Sequence, residues 1–133
     1  MNLRRLLVAG TLSICGLGPA AAAPDAVRGE QIYVRCHACH ALAFDRAGPR
    51  HCGLIGRAAG SVPGFAYSPA MRTSHIVWNE KTLDCFLAHP LKVVPGTAMT
   101  YDGVPDSKDR ADLIAYLKRA DRSLECTKSV GGS

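Results

Sequence analysis

Strand signals are nearly absent from this chain of 133 residues, so a sheet is excluded as its main architecture. No internal repeat is visible, and the glycine-rich stretches are too short to be linkers, which excludes a solenoid and a flexible multi-domain layout. Lys and Arg form no clustered run and sit in no recognition motif, so nucleic acid is not an expected partner. The N-terminal apolar stretch, residues 6–18, is shorter than the ~20 residues that span a bilayer comfortably. Acidic residues are missing from the N-terminal end, since all 11 lie after position 23.

That acid-free segment has the layout of a targeting signal. Arg4 and Arg5 supply a positive start, residues 6–18 an apolar centre, and residues 19–23 a run of Pro and Ala. Proline is a poor first residue after a cut, so cleavage is expected after Ala22, in an Ala20-x-Ala22 frame. The expected division is a signal peptide over residues 1–22 and a single domain over residues 23–133, with the mature domain in the periplasm. Cys15 follows Ser13-Ile14 rather than small residues, which argues against lipid modification, and it leaves with the signal. The net charge of +5 falls by two when Arg4 and Arg5 leave, so the remaining domain is only mildly basic. A domain of this size has a marginal core, and a buried cofactor would supply apolar surface that it lacks.

Six cysteines are present, and two stand in Cys36-His37-Ala38-Cys39-His40. A Cys-x-x-Cys pair followed at once by His is the attachment signature of a c-type haem. Two intervening residues space the sulfurs to form thioethers with the two vinyl groups of a porphyrin, and the next residue falls beneath the ring, where a His40 nitrogen can bind iron. A thioredoxin-like motif would need a βαβ setting, and zinc would need more clustered ligands. One haem c held by Cys36 and Cys39 is therefore expected. With Cys15 gone, Cys52, Cys85 and Cys126 are left, an odd number in an oxidising compartment. One bridge and one free thiol follow, and the sequence alone does not choose the pair.

The pattern around the motif is helical and irregular. The first helix is expected over residues 25–37, capped by Asp25, with Val27, Tyr33 and Val34 as its apolar stripe. Gly and Pro punctuate residues 41–69, which read as loop wrapped around something. Short helices are expected over residues 69–73 and 80–88, the second presenting Leu83, Phe86 and Leu87 and stopped by Pro90. The final helix starts at Asp106 or Ser107 and carries Leu113, Ile114, Tyr116, Leu117 and Ala120 at helical spacing. Helices joined by long loops suit a fold with a cofactor at its centre.

The group opposite His40 decides the chemistry. Met1, Met71, Met99, His37, His51, His75 and His89 are the candidates. Met1 leaves with the signal, and His37 is held inside the attachment turn. Met71 sits in a short helix, where a Met is usually core filler. Met99 follows the rigid Pro95-Gly96 turn.

These residues resemble the class I c-type cytochromes, the small soluble carriers similar to bacterial cytochrome c2 and mitochondrial cytochrome c. Besides the attachment motif, the matching stretches are Gly48-Pro49, Gly53-Leu54-Ile55-Gly56-Arg57, Pro63-Gly64-Phe65-Ala66-Tyr67-Ser68 and Trp78. Thr82-Leu83, Phe86-Leu87, Pro90, Pro95-Gly96-Thr97-Ala98-Met99 and Asp112-Leu113-Ile114-Ala115-Tyr116-Leu117 follow in the family's order. The resemblance implies an all-α, single-domain cytochrome c fold wrapped around one covalent haem. It implies His40 and Met99 as axial ligands, with the Pro49 carbonyl accepting the other ring N–H of His40 and raising its basicity. Arg57, Tyr67 and Trp78 would surround one haem propionate, a buried anion that needs donors, and Thr97 would bond the inner propionate. Tyr33 and residues 113–117 would form the crossing of first and last helices. Phe86 stands where the family often has a Tyr whose hydroxyl reaches the Met sulfur. The resemblance also places Cys52 near the end of the last helix, which favours a Cys52–Cys126 bridge and leaves Cys85 a thiol.

The function so implied is one-electron transfer by a monomeric periplasmic carrier rather than an enzyme, because full coordination leaves no vacancy for oxygen or peroxide. Transient redox partners are expected: a quinol-oxidising complex and a terminal oxidase or dehydrogenase, met at the membrane surface. Arg35, Arg46 and Lys92 would steer the encounter. The rival readings are a dedicated acceptor or bound subunit of one dehydrogenase, a haem enzyme or gas sensor with a displaceable Met99, and a metal-free disulfide protein.

Overall fold

The computed structural model describes residues 22–130. The expected targeting signal and Met1 fall in residues 1–21 or at their border, outside the described residues. The Asp25 carboxylate accepts hydrogen bonds from the N–H groups of Val27 and Arg28, at 2.8 and 3.2 Å, and starts helix α1 (Ala26–Tyr33). The α-helix expected to reach residue 37 ends earlier and tightens into a 3₁₀ turn over Val34–Cys36. Short helix α2 (Pro69–Arg72) is capped by the Ser68 hydroxyl, which accepts from the Met71 N–H. Asn79 and Thr82 form a reciprocal capping box at the start of α3 (Glu80–Ala88). Pro90 does follow the end of α3, but it also opens α4 (Pro90–Val93), because a proline lacks only an N–H that the first helical turn leaves unpaired. Asp106, not Ser107, caps α5 (Ser107–Ala120) by accepting from the Asp109 N–H at 2.8 Å.

The expected last helix is followed by another, α6 (Leu124–Val130). Its sequence has no apolar stripe. Its anchor is Cys126, which is buried and bonded to Cys52. Among the described residues there is no strand, only an isolated antiparallel bridge between Ala58 and Val77.

α1 crosses α5, and α3 packs against the same helix. The stripe expected on α1 is corrected here: Val27 and Val34 are exposed, and the buried face is Gly29, Ile32 and Tyr33. The reason is the closeness of the crossing. A Cβ on Gly29 would lie 1.9 Å from the Asp112 carbonyl oxygen, so the backbones touch there and the face is set by what surrounds Gly29. Tyr33, one helical turn on, tilts against Tyr116 with ring centroids 5.1 Å apart. The α5 stripe is buried as expected at Leu113, Ile114, Tyr116, Leu117 and Ala120, and so are Leu83, Phe86 and Leu87 of α3. Met71 joins this core, in keeping with the filler role.

Asp112 fastens the crossing electrostatically. Its side chain is fully buried and accepts from the Asp25 N–H at 2.7 Å, from the Lys108 ammonium at 2.7 Å and from the Arg28 guanidinium at 2.7 Å. The Asp25 N–H first, then Lys108 and Arg28, hold this carboxyl well below its ordinary range against the opposing effect of burial.

Two outcomes follow. Gly29→Ala should lower unfolding free energy in denaturant by on the order of 3 kcal/mol, since the obstructing atom is backbone and cannot swing away. The depressed pKa of Asp112 means its stabilisation is fully present above the unfolded-state value of about 4 and is lost as pH falls below that. Asp112→Asn should therefore melt earlier at pH 7 and show a flatter decline in melting temperature between about pH 4 and pH 2. An unchanged acid limb would show that another carboxylate dominates.

Candidate functional site

The 3₁₀ turn after α1 brings the chain back on itself at the attachment motif. The N–H groups of Cys39 and His40 both donate to the Cys36 carbonyl, at 3.0 and 2.9 Å. Cys36 and Cys39 are free thiols, the first half-buried and the second exposed. Burial pushes the Cys36 thiol up to about 11, so it is a protonated thiol at neutral pH rather than a ready metal ligand. Among the described residues no group of three or more His, Cys, Asp or Glu is gathered to hold a metal ion, which leaves the pair without the further ligands of a zinc site.

His40 is buried, and its Nδ1 lies 2.7 Å from the Pro49 carbonyl oxygen. A carbonyl can only accept, so Nδ1 carries the proton and Nε2 keeps a free lone pair. The loop that delivers Pro49 is folded onto the turn. The Gly48 N–H donates to the Cys39 carbonyl at 2.6 Å, and the Arg46 guanidinium donates to the His37 carbonyl at 2.7 Å. A Cβ on Gly48 would stand 2.3 Å from His40 Cε1, so only glycine lets this backbone pass the ring.

The other candidate ligands are sorted by the fold. His37, His75 and His89 are exposed, and Met71 is in the core. His51 stacks on His40, with centroids 4.2 Å apart and planes at 22°, so it lies alongside that ring rather than across from it. Met99 is half-buried and packs against the core cluster. Gly96, at φ +89°, turns the loop before it, and the buried Thr97 accepts from the Met99 N–H through its hydroxyl at 3.2 Å.

Arg57 has an unmatched polar atom. Its guanidinium donates to the carbonyls of Cys52 and Arg50, at 3.1 and 2.9 Å, while its Nε is buried without a partner. Among the described residues no carboxylate forms an ion pair with it, and burial lowers its pKa. Trp78 is buried beside it, its backbone N–H donating to the Arg57 backbone carbonyl at 2.9 Å. The Tyr67 hydroxyl accepts from the Val62 N–H at 3.4 Å, which leaves its own proton to give. An orphaned Arg57 Nε, a free Nε2 on His40 and two thiols a turn away fit a propionate-bearing haem.

Sequence reasoning missed how the Arg57 loop is held. The Asp121 carboxylate, at the C-terminal cap of α5, accepts from the N–H groups of Gly53, Leu54 and Ile55 at 3.0, 3.3 and 2.9 Å. An acid at a helix C-terminus opposes the helix dipole, and that misplacement was the available signal of a distant partner. The Cys52–Cys126 bridge spans 74 residues, with Cα atoms 5.1 Å apart, and ties the same loop to α6, the pairing the resemblance favoured. Cys85 is an exposed thiol.

Helices and loops arranged around such a turn define a c-type haem protein. Similarity to known proteins narrows this. Cytochrome c2 of Rhodomicrobium vannielii is 46% identical over 101 residues, covering 74% of this chain and 81% of its own length. Cytochrome c of Tetrahymena pyriformis is 54% identical over 96 residues, covering 71% of this chain and 87% of its own. Among solved structures, cytochrome cH from Methylobacterium extorquens superposes with a TM-score of 0.70 at 41% identity, over 71% of this chain and 98% of that one. No protein-family model matches. The chain belongs to the class I c-type cytochromes, haem-based electron carriers.

Replacing Cys52 and Cys126 together by Ser should lower stability by about 2–4 kcal/mol in denaturant titrations, because the open chain regains loop entropy. A loss under about 0.5 kcal/mol would mean that the Asp121 bonds hold the loop unaided.

Proposed function

We propose that this chain is an exported one-electron carrier with a single haem c, attached through Cys36 and Cys39 and ligated by His40 and Met99. The observation that carries the reading is His40: a buried imidazole whose tautomer is set by the Pro49 carbonyl, with Nε2 free for iron. When bound, the haem supplies a reversible one-electron couple. The protein's part is to hold both ligands still and keep water away, so that the change of charge demands little rearrangement. A neutral Met sulfur favours the reduced state and raises the potential. Arg57, Tyr67 and Trp78 would receive one propionate, and Thr97, whose hydroxyl proton is free to be given, the other. Phe86 packs its ring 5.1 Å from that of Trp78 and brings no hydroxyl to the Met99 sulfur, which removes one lever on the potential.

The partners fitting such a carrier are a quinol-oxidising complex as donor and a terminal oxidase or dehydrogenase as the other party, met by brief docking of a monomer in the periplasm. Residues 1–22 read as the signal that sends it there. No helix among the described residues is long and apolar enough to cross a membrane. Arg35, Arg46 and Lys92 are exposed and suit electrostatic steering, although Arg35 lies 3.7 Å from Asp109 and Arg46 is engaged with the attachment turn.

The test is production alongside a haem-attachment system. The expected product is coloured, keeps its haem through denaturation, shows the weak red-end band of Met-ligated ferric haem and resists carbon monoxide when reduced. Met99→Ala should retain the haem, lose that band, bind carbon monoxide and have a lower potential. A Met99→Ala protein with unaltered spectrum and potential would overturn the ligand assignment.

A further inference from the structure

We infer that Tyr33 and His51 together position the imidazole of His40, so that the plane of the iron ligand is set by residues beyond the Pro49 carbonyl. This rests on the reading of His40 as the iron ligand. One hydrogen bond at Nδ1 fixes which nitrogen is free, but its broad angular tolerance leaves the ring plane room to turn through the Cα–Cβ and Cβ–Cγ torsions. His51 supplies what resists that turn: a flat ring 4.2 Å away at 22°, against which a rotated His40 would collide.

His51 is itself anchored. Its Nδ1 is 2.9 Å from the Tyr33 hydroxyl, and a buried phenol keeps such a partner because an unmatched hydroxyl is costly. Tyr33 is in turn locked by the fold. It is only 1% exposed, tilts against Tyr116 across the helix crossing, and meets His37 of the attachment turn edge-on at 4.9 Å. A chain of contacts thus runs from the α1–α5 crossing through Tyr33 and His51 to His40.

The experiment uses the haem-loaded protein with two variants, Tyr33→Phe and His51→Leu. Tyr33→Phe removes only the hydroxyl and keeps the ring in the crossing, so it serves even where His51→Leu fails to fold. The readouts are the proton NMR shifts of the haem methyl groups in the oxidised protein, whose order depends on the plane of the axial imidazole, and the reduction potential. The expected result is a rearranged methyl pattern and a shifted potential in both variants, larger for His51→Leu, with the helical circular dichroism and the Met-ligated red-end band retained. A wild-type methyl pattern and potential in Tyr33→Phe, and in His51→Leu where it folds, overturn the inference while leaving the carrier reading intact. Wild-type protein without a covalent haem overturns both.

Discussion

The hydrogen bond from His40 Nδ1–H to the Pro49 carbonyl is the constraint around which the rest of the site is arranged. It requires Pro49 to be brought over the ring, which requires Gly48 to have no side chain, which in turn requires the loop to be pinned onto the attachment turn through Cys39 and His37. The bond also determines chemistry directly. By holding the proton on Nδ1 it presents Nε2 as a donor, and a donor whose far side is hydrogen-bonded is a more basic ligand.

The helix crossing does for the scaffold what the Pro49 bond does for the ligand. Backbone contact at Gly29 sets how close α1 and α5 lie, and Asp112, buried among Lys108, Arg28 and the Asp25 N–H, closes the same junction from the polar side. A buried carboxylate is costly unless fully matched, and here both of its oxygens have donors. The attachment turn begins as α1 ends, so rigidity at the crossing is passed to Cys36 and His40 without an intervening loop.

Beside the site the same logic is carried by a loop instead of a helix. The segment around Arg57 has little regular structure; its backbone is hydrogen-bonded from a distance by Asp121 and the bridge to Val77, and the disulfide ties it covalently to α6. That allows the Arg57 Nε to be buried without a hydrogen-bond partner among the described residues. Such an arrangement has a purpose where an outside anion completes it.

Much of this was legible in the chain itself. The Cys-x-x-Cys-His spacing was legible as a family signature because it is a distance requirement within a few covalent bonds. The α5 stripe was legible because helical periodicity is local, and so was the loop character of residues 41–69. The first helix was drawn too long and its buried face misassigned, because Val27 and Val34 are apolar by type while burial depends on where α5 comes to lie. Helix α6 was invisible because its anchor is a covalent bond rather than a stripe. His51 was weighed as a ligand on residue type, whereas its place beside His40 emerges from Tyr33 being locked in the crossing. The sequence by itself determined the family signature and the helical stripe of α5, since both rest on short-range spacing. Only the tertiary structure decided which residues face one another, which are held by Asp121 or Tyr33 from far along the chain, and which Arg keeps a buried Nε without a partner among the described residues. Those are properties of packing between segments whose separation in sequence carries no local signal.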